Sequence, residues 1–172
     1  MRSPAELTTE FRSLGLKVTP QRQLLFRLLH DNSTHPTADD VFELATAELP
    51  GISLRTVYQT LTDLHEMGEL QAFVFDGRAT RFDPNVGAHQ HRVCDSCAEV
   101  EDVYVDGVDN LHAEGSRMAN QKGFAMTSTD VVFRGLCKSC ATQASLLPNK
   151  PQANEPRPDP SEISRNTRRS KS

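Results

Sequence analysis

SLRTVYQTLTDLHEMG, residues 53–68, decides the fold. Ser53 stands where a helix N-cap belongs, and Leu54, Val57, Leu61 and Leu64 recur at helical spacing. Gly68 suits the position just past a last helical turn. The apolar stripe predicts one face turned to a core. The opposite face carries Arg55, Thr56, Tyr58, Gln59 and Thr62, all donors or acceptors able to reach phosphates and base edges, although the same face would also suit water.

Upstream, Pro50-Gly51 breaks the chain. Pro36-Thr37, with Asp40 three residues after Thr37, marks a helix start ahead of Val41, Leu44 and Ala45. Thr19-Pro20 marks another that leads into residues 21–29. Downstream, residues 70–75 and 78–82 flank Asp76-Gly77, a strong signal for a two-residue hairpin turn. Three or four short helices followed by a hairpin predict a winged helix-turn-helix domain over residues 1–82. Its candidate DNA contacts are Arg22, Arg55, Thr56, Tyr58 and Gln59.

After a connection at residues 83–88, expected to be a hinge, the pattern changes. Residues 92–94, 100–105 and 125–134 are strand-like, and residues 108–121 can form a helix closed by Lys122-Gly123. The overall class is therefore α+β, with a small α/β unit over residues 89–147 that is too short for a large core of its own. It suits a dimerisation domain stabilised by metal. From Pro148 onward the composition is Pro, Asn, Ser, Arg and Lys with one large apolar residue, Ile163, which predicts a disordered tail over residues 148–172.

Two constellations carry chemistry. Cys94-Asp-Ser-Cys97 and Cys137-Lys-Ser-Cys140 each place two thiolates on a tight turn, and two such turns complete a tetrahedron around Zn(II). A dithiol redox pair and buried free cysteines are the competing readings of the same spacing. The second constellation uses nitrogen and oxygen. In His89-Gln-His91 the two imidazoles point the same way on an extended segment. Asp83 precedes them, Asp102 falls on the following strand, and His35 lies just before the helix start at Thr37. Histidines with carboxylates suit Fe(II), Mn(II) or Zn(II), whereas thiolates select zinc.

Composition narrows the class. No apolar run approaches the roughly 18 residues a membrane span needs, and the first ten residues lack the apolar core of a signal peptide. The expected location is the cytoplasm, where thiols stay reduced and paired CxxC spacings favour metal over disulfide. The formal charge is −4; the tail contributes +3, leaving −7 on residues 1–147. So acidic a body argues against indiscriminate binding to nucleic acid and permits a specific binder with a local basic face.

The pieces TPQRQLLFRLL (19–29), HPTADDVF (35–42), SLRTVYQTL (53–61), RFD (81–83), HQHRVCDSC (89–97) and GLCKSC (135–140) together resemble the ferric uptake regulator family over roughly residues 5–145. The resemblance implies a homodimeric repressor that binds palindromic, AT-rich operators in double-stranded DNA when loaded with metal. It implies regulatory ligands at His35, Asp83, His89, His91 and Asp102, structural zinc on the four cysteines, and a DNA-reading helix at residues 53–67. Asp83 and Asp102 stand where iron-sensing members usually carry Glu, so the chain looks most like the peroxide-sensing branch. That branch implies Fe(II) or Mn(II) at the regulatory site, with oxidation of His35 or His89 when Fe(II) is bound and insensitivity when Mn(II) is. Ala88 and Gln90 replace the residues commonly flanking the paired histidines, and Ser128 and Thr129 stand where a further His is often found. Ala98 replaces the usual Gly after the first CxxC, and Gln59 differs from the Arg or Asn frequent there.

No enzyme activity, membrane association or small-molecule substrate beyond metal and peroxide is expected. The rivals are a repressor of the same fold that senses Fe(II), Zn(II) or Ni(II) by occupancy alone, a non-haem iron enzyme, and a thiol oxidoreductase.

Overall fold

Side-chain caps set the helix starts in the computed structural model, which describes residues 1–75 and 77–146. Asp76, in the expected hairpin turn, and the tail expected over residues 148–172 lie outside the described residues. Helices α1 (Pro4–Ser13), α2 (Pro20–Leu29), α3 (Ala38–Glu48) and α4 (Leu54–Glu66) open the chain. Ser3 with Glu6 and Thr37 with Asp40 form reciprocal capping boxes. Thr19 accepts from the Arg22 N–H ahead of Pro20, and Ser53 accepts from the Thr56 N–H at 3.1 Å. The helix starts at Thr19, Thr37 and Ser53 are thus where the sequence places them. Gly68 follows α4 with φ +72°.

One apolar core joins the four helices. Leu7 and Phe11 of α1, Leu25, Phe26 and Leu29 of α2, Val41 and Ala45 of α3, and Val57, Leu61 and Leu64 of α4 are all buried. The rings of Phe11 and Phe26 meet edge to face, with centroids 4.7 Å apart. Arg22 pairs with Asp63 across α2 and α4 at 2.5 Å, and its guanidinium lies 5.2 Å from the Phe11 ring centre.

Strands β1 (Gln71–Phe73) and β2 (Arg81–Asp83) form an antiparallel pair. Between them the Arg78 N–H donates to the Phe75 carbonyl and Gly77 has φ +68°. The ladder does not start there, however. Phe73 opposes Arg81, so the two-residue hairpin expected around Asp76-Gly77 is replaced by a longer connection. Competing partners account for the difference. Phe82 N–H donates to the Pro36 carbonyl at 2.9 Å and Arg81 bridges to Thr37, so β2 is anchored to the segment ahead of α3 rather than zipped down to the turn.

A three-stranded sheet in the order β4-β3-β5 follows, built from β3 (Gln90–Cys94), β4 (Val100–Val103) and β5 (Val132–Gly135), with α5 (Val108–Gln121) between β4 and β5. β3 pairs antiparallel with β4 and parallel with β5. The strand expected over residues 125–134 is mostly not a strand. β3 offers a parallel partner only from His91 to Cys94, and only the four residues of β5 can take it.

The chain divides into two compact units, Met1–Cys137 and Lys138 onward. In the second, the described residues hold α6 (Lys138–Leu146). Within the first, Cys94 ends β3, Cys97 lies on the following turn and Cys137 lies two residues past β5. The Cys97 and Cys137 sulfurs are 3.7 Å apart, and the Cys137 N–H donates to Cys94 Sγ at 3.3 Å. The backbone N–H of Cys137, joined by those of Cys97 and Ser96, holds the Cys94 thiol down to about 6 from an ordinary 9.0. Ala98, in the position where the sequence lacks the usual Gly, adopts φ +61° while its N–H donates to the Cys94 carbonyl at 2.9 Å.

Two predictions follow from this turn. Left-handed backbone costs a residue with a Cβ about 1–2 kcal/mol, and glycine returns about 0.5–1 kcal/mol of that as unfolded-state entropy. Ala98→Gly should therefore raise stability in chemical denaturation by roughly 0.5–1 kcal/mol, and a loss would show the turn to be relaxed with Ala. Because the Cys94 thiol is depressed on folding, its contribution is complete above pH 9.0, declines through the window below it and is gone below about 6. In metal-free protein the gap in thermal midpoint between the native chain and Cys94→Ser should close as pH falls from 9.0 to about 6. A gap independent of pH would refute the assignment.

Candidate metal centre

Five side chains reach one point by routes that the backbone dictates. His91 and Asp102 are directly opposed in the β3–β4 ladder, so both project from the same face of the sheet. His89 precedes His91 by two residues and shares that face. Asp83 ends β2. His35 is brought alongside by the Phe82–Pro36 hydrogen bond and by an unusual backbone, with φ +50°. A non-glycine residue in this region stores strain, and the Arg81 guanidinium holds it there by donating to the His35 carbonyl at 2.8 Å. The same guanidinium donates to the Ala98 carbonyl at 3.1 Å, tying the cysteine turn to the histidine.

One ligand atom from each of the five residues lies within 4.8 Å of all the others. His35 Nε2 stands 2.6 Å from Asp102 Oδ1 and 3.7 Å from Asp83 Oδ2. His89 Nε2 stands 2.9 Å from Asp83 Oδ2 and 3.0 Å from His91 Nε2. His35 Nε2 and Asp102 Oδ1 are sealed from solvent, and neither makes a properly angled hydrogen bond, although they nearly touch. Buried polar atoms are normally satisfied. Atoms aimed at a shared point instead of at each other are what a cation between them requires. The His89 Nδ1 faces the Gly87 carbonyl at 2.8 Å, which places the proton of a neutral ring on Nδ1 and leaves Nε2 as a lone pair toward the centre.

Burial alone would raise the Asp83 carboxyl. The hydrogen bond from His91, the Asn85 N–H and the neighbouring His35 and His89 outweigh it and hold Asp83 below the usual carboxylate range. Three imidazole nitrogens and two carboxylate oxygens fit a divalent cation of the Fe(II), Mn(II) or Zn(II) type, while the gathered thiols of Cys94, Cys97 and Cys137 suit zinc.

The structure brings His35, Asp83, His89, His91 and Asp102 together in one group, and Cys94, Cys97 and Cys137 together in another. Three neighbours had no signal that singled them out. Phe73 of β1 walls the centre, its ring 4.4 Å from that of His91. Arg81 lies within the quoted RFD motif, yet only the structure discloses its two carbonyls. Asn85 touches both aspartates. Beside the histidines opens a cleft of about 640 Å³, lined by residues that include Phe73, His89, His91, His112 and Thr129.

Along α4, Arg55, Tyr58 and Gln59 are exposed and Thr56 is half-buried. Not all of the candidate DNA contacts are equally available. Gln59 Nε2 donates to Asp63 at 2.8 Å, and Arg22 is spent on the same carboxylate with only 14% of its side chain exposed. Arg22 is thus drawn into the joint between α2 and α4 rather than standing out with Arg55 and Tyr58, because the buried Asp63 needs a counter-charge.

Among the described residues no helix is long and apolar enough to cross a membrane. The chain is similar to a peroxide-responsive repressor, PerR, of Staphylococcus aureus, at 29% identity over 135 residues that cover 78% of this chain and 89% of that protein. It is similar in structure to a ferric uptake regulator from Francisella tularensis solved with iron (25% identity, TM-score 0.62, covering 74% of this chain and 96% of that one). A third likeness is to a peroxide stress regulator of Campylobacter jejuni, with 26% identity, a TM-score of 0.56, and coverage of 81% and 100% of the two chains. The sequence pattern of the ferric uptake regulator family matches residues 13–134, and the chain belongs to that family of metal-responsive transcriptional regulators.

Proposed function

We propose that the chain is a homodimeric repressor that loads Fe(II) or Mn(II) at His35, Asp83, His89, His91 and Asp102, keeps a structural Zn(II) on its four cysteines, and releases its operator when peroxide oxidises His35 or His89. The observation that carries this reading is the convergence of five donors, with both ring nitrogens of His35 and Oδ1 of Asp102 buried without a hydrogen bond. In the domain division proposed here, residues 1–82 bind DNA, 83–88 form a hinge and 89–147 dimerise. His35 then belongs to the first part, Asp83 to the hinge, and His89, His91 and Asp102 to the last. A cation that binds best when all five meet favours one relation between those parts, and metal and operator binding share a coupling free energy.

Fe(II) held at such a centre supplies electrons that reduce peroxide. The chain's own contribution is placement: His35 and His89 both stand among the five donors, and the cleft beside His89 admits a small oxidant. Oxidised imidazole is a poor ligand, so the five-donor set falls apart and the operator is released. Loaded with Mn(II), the chain keeps its histidines intact and stays bound. The aspartates at 83 and 102 and the named peroxide response of the S. aureus relative favour this over sensing by occupancy alone. Exposed Tyr104, Leu111, Met118, Phe124, Phe133 and Leu136 give the second half an apolar surface suited to a second copy. The DNA-reading face is that of Arg55, Thr56, Tyr58 and Gln59, and the expected place of action is the cytoplasm.

Operator duplexes recovered by selection from random DNA test the reading. Both Fe(II) and Mn(II) should support binding, peroxide should abolish only the Fe(II) complex, and mass spectrometry should find one added oxygen on the peptide holding His35 or His89. Binding that survives peroxide with unmodified histidines would leave a repressor that senses occupancy. Asp102→Ala should weaken regulatory metal binding by about 100-fold or more and remove metal-dependent DNA binding while zinc content stays constant. Retained metal-dependent binding would count against the centre.

A further inference from the structure

Asn85 uses every polar atom it has. Its N–H donates to Asp83 Oδ1 at 2.7 Å, and its carbonyl accepts from Gln71 Nε2 at 3.2 Å. Its side-chain nitrogen donates to Asp102 Oδ2 at 2.6 Å and contacts the Tyr104 hydroxyl at 3.0 Å. Its side-chain oxygen accepts from the Gly87 N–H at 3.2 Å. The amide can face only one way: a carboxylate accepts and never donates, and a backbone N–H donates and never accepts. Gly87 in turn offers its carbonyl to His89 Nδ1 at 2.8 Å. One residue therefore orients three of the five donors: Asp83 through its backbone N–H, Asp102 through its side-chain nitrogen, and His89 through Gly87.

What Asn85 leaves free matters as much as what it binds. At each aspartate it engages the oxygen remote from the centre, and the other oxygen, Asp83 Oδ2 or Asp102 Oδ1, faces the three histidine nitrogens. A carboxylate with one oxygen already hydrogen-bonded offers a cation one oxygen rather than two. We propose that Asn85 is a positioning residue that holds Asp83 and Asp102 as single-oxygen donors. The proposal rests on the reading of these five residues as a metal centre.

The test uses the full chain, Mn(II) as probe, and the variants Asn85→Ala and Asn85→Ser. Serine keeps a side-chain oxygen that can accept from the Gly87 N–H but is too short to reach Asp102, which separates loss of the turn from loss of the donor. Both variants should bind Mn(II) about 10–100-fold more weakly. They should also change its electron paramagnetic resonance spectrum, as the freed Asp102 oxygen joins the metal. Zinc content and the unfolding midpoint of protein without Mn(II) should match the native chain for Asn85→Ser. Tyr104→Phe, which leaves both carboxylate bonds in place, should bind Mn(II) as the native chain does. An unchanged affinity and spectrum in both Asn85 variants, or tighter binding, would overturn the role of Asn85. Failure of the native chain to bind Mn(II) at all would instead overturn the metal-centre reading beneath it.

Discussion

Two carboxylates and three imidazoles converge on one point, an arrangement that a divalent cation standing among them would satisfy. Asp83 and His35 have 2% and 1% of their side chains exposed, and the opposing atoms of His35 and Asp102 approach to 2.6 Å without a usable hydrogen-bond angle. Burying charge uncompensated costs several kcal/mol per ion on general grounds. The rest of the chain can be understood as the apparatus that tolerates this conflict. The capped helices supply a rigid core, β2 is drawn off its hairpin to meet Pro36, and the β3–β4 register sets His91 against Asp102.

The strain is local and is balanced by identifiable contacts. His35 would not hold a left-handed backbone without a partner for its carbonyl, and Arg81 supplies one. The thiol cluster plays a different part. The helical core is built from α1 to α4, whereas in the three-stranded sheet only Val93, Cys94 and Val100 are buried apolar residues. The sheet is thus fastened at one corner by chemistry that a larger core would have made unnecessary.

Much of this was legible in the amino-acid order because it depends on short-range rules. Thr19-Pro20, Thr37 with Asp40, and Ser53 each announce a helix within four residues, and CxxC or His-Gln-His places ligands within one turn or one strand. The failures are all long-range. The hairpin at Asp76-Gly77 looked tight because the competing hold of Pro36 on Phe82 is 46 residues away in the chain. Residues 125–131 have the composition of a strand and no free ladder to join. Arg22, a candidate DNA contact in the sequence, pairs with Asp63, a partner that comes from another helix. Asn85 carried only the mark of a turn residue after Pro84, since the two carboxylates it holds are far from each other in the chain.

Arg81 has a consequence of another kind. Its fork serves two carbonyls at once, one beside the regulatory histidine and one on the cysteine turn. A lysine would carry the same charge but reach only one of them, so the position is closed to the commonest conservative drift between basic residues. Any change that moves the Ala98 carbonyl on the thiol turn is therefore passed through one side chain to the backbone of His35.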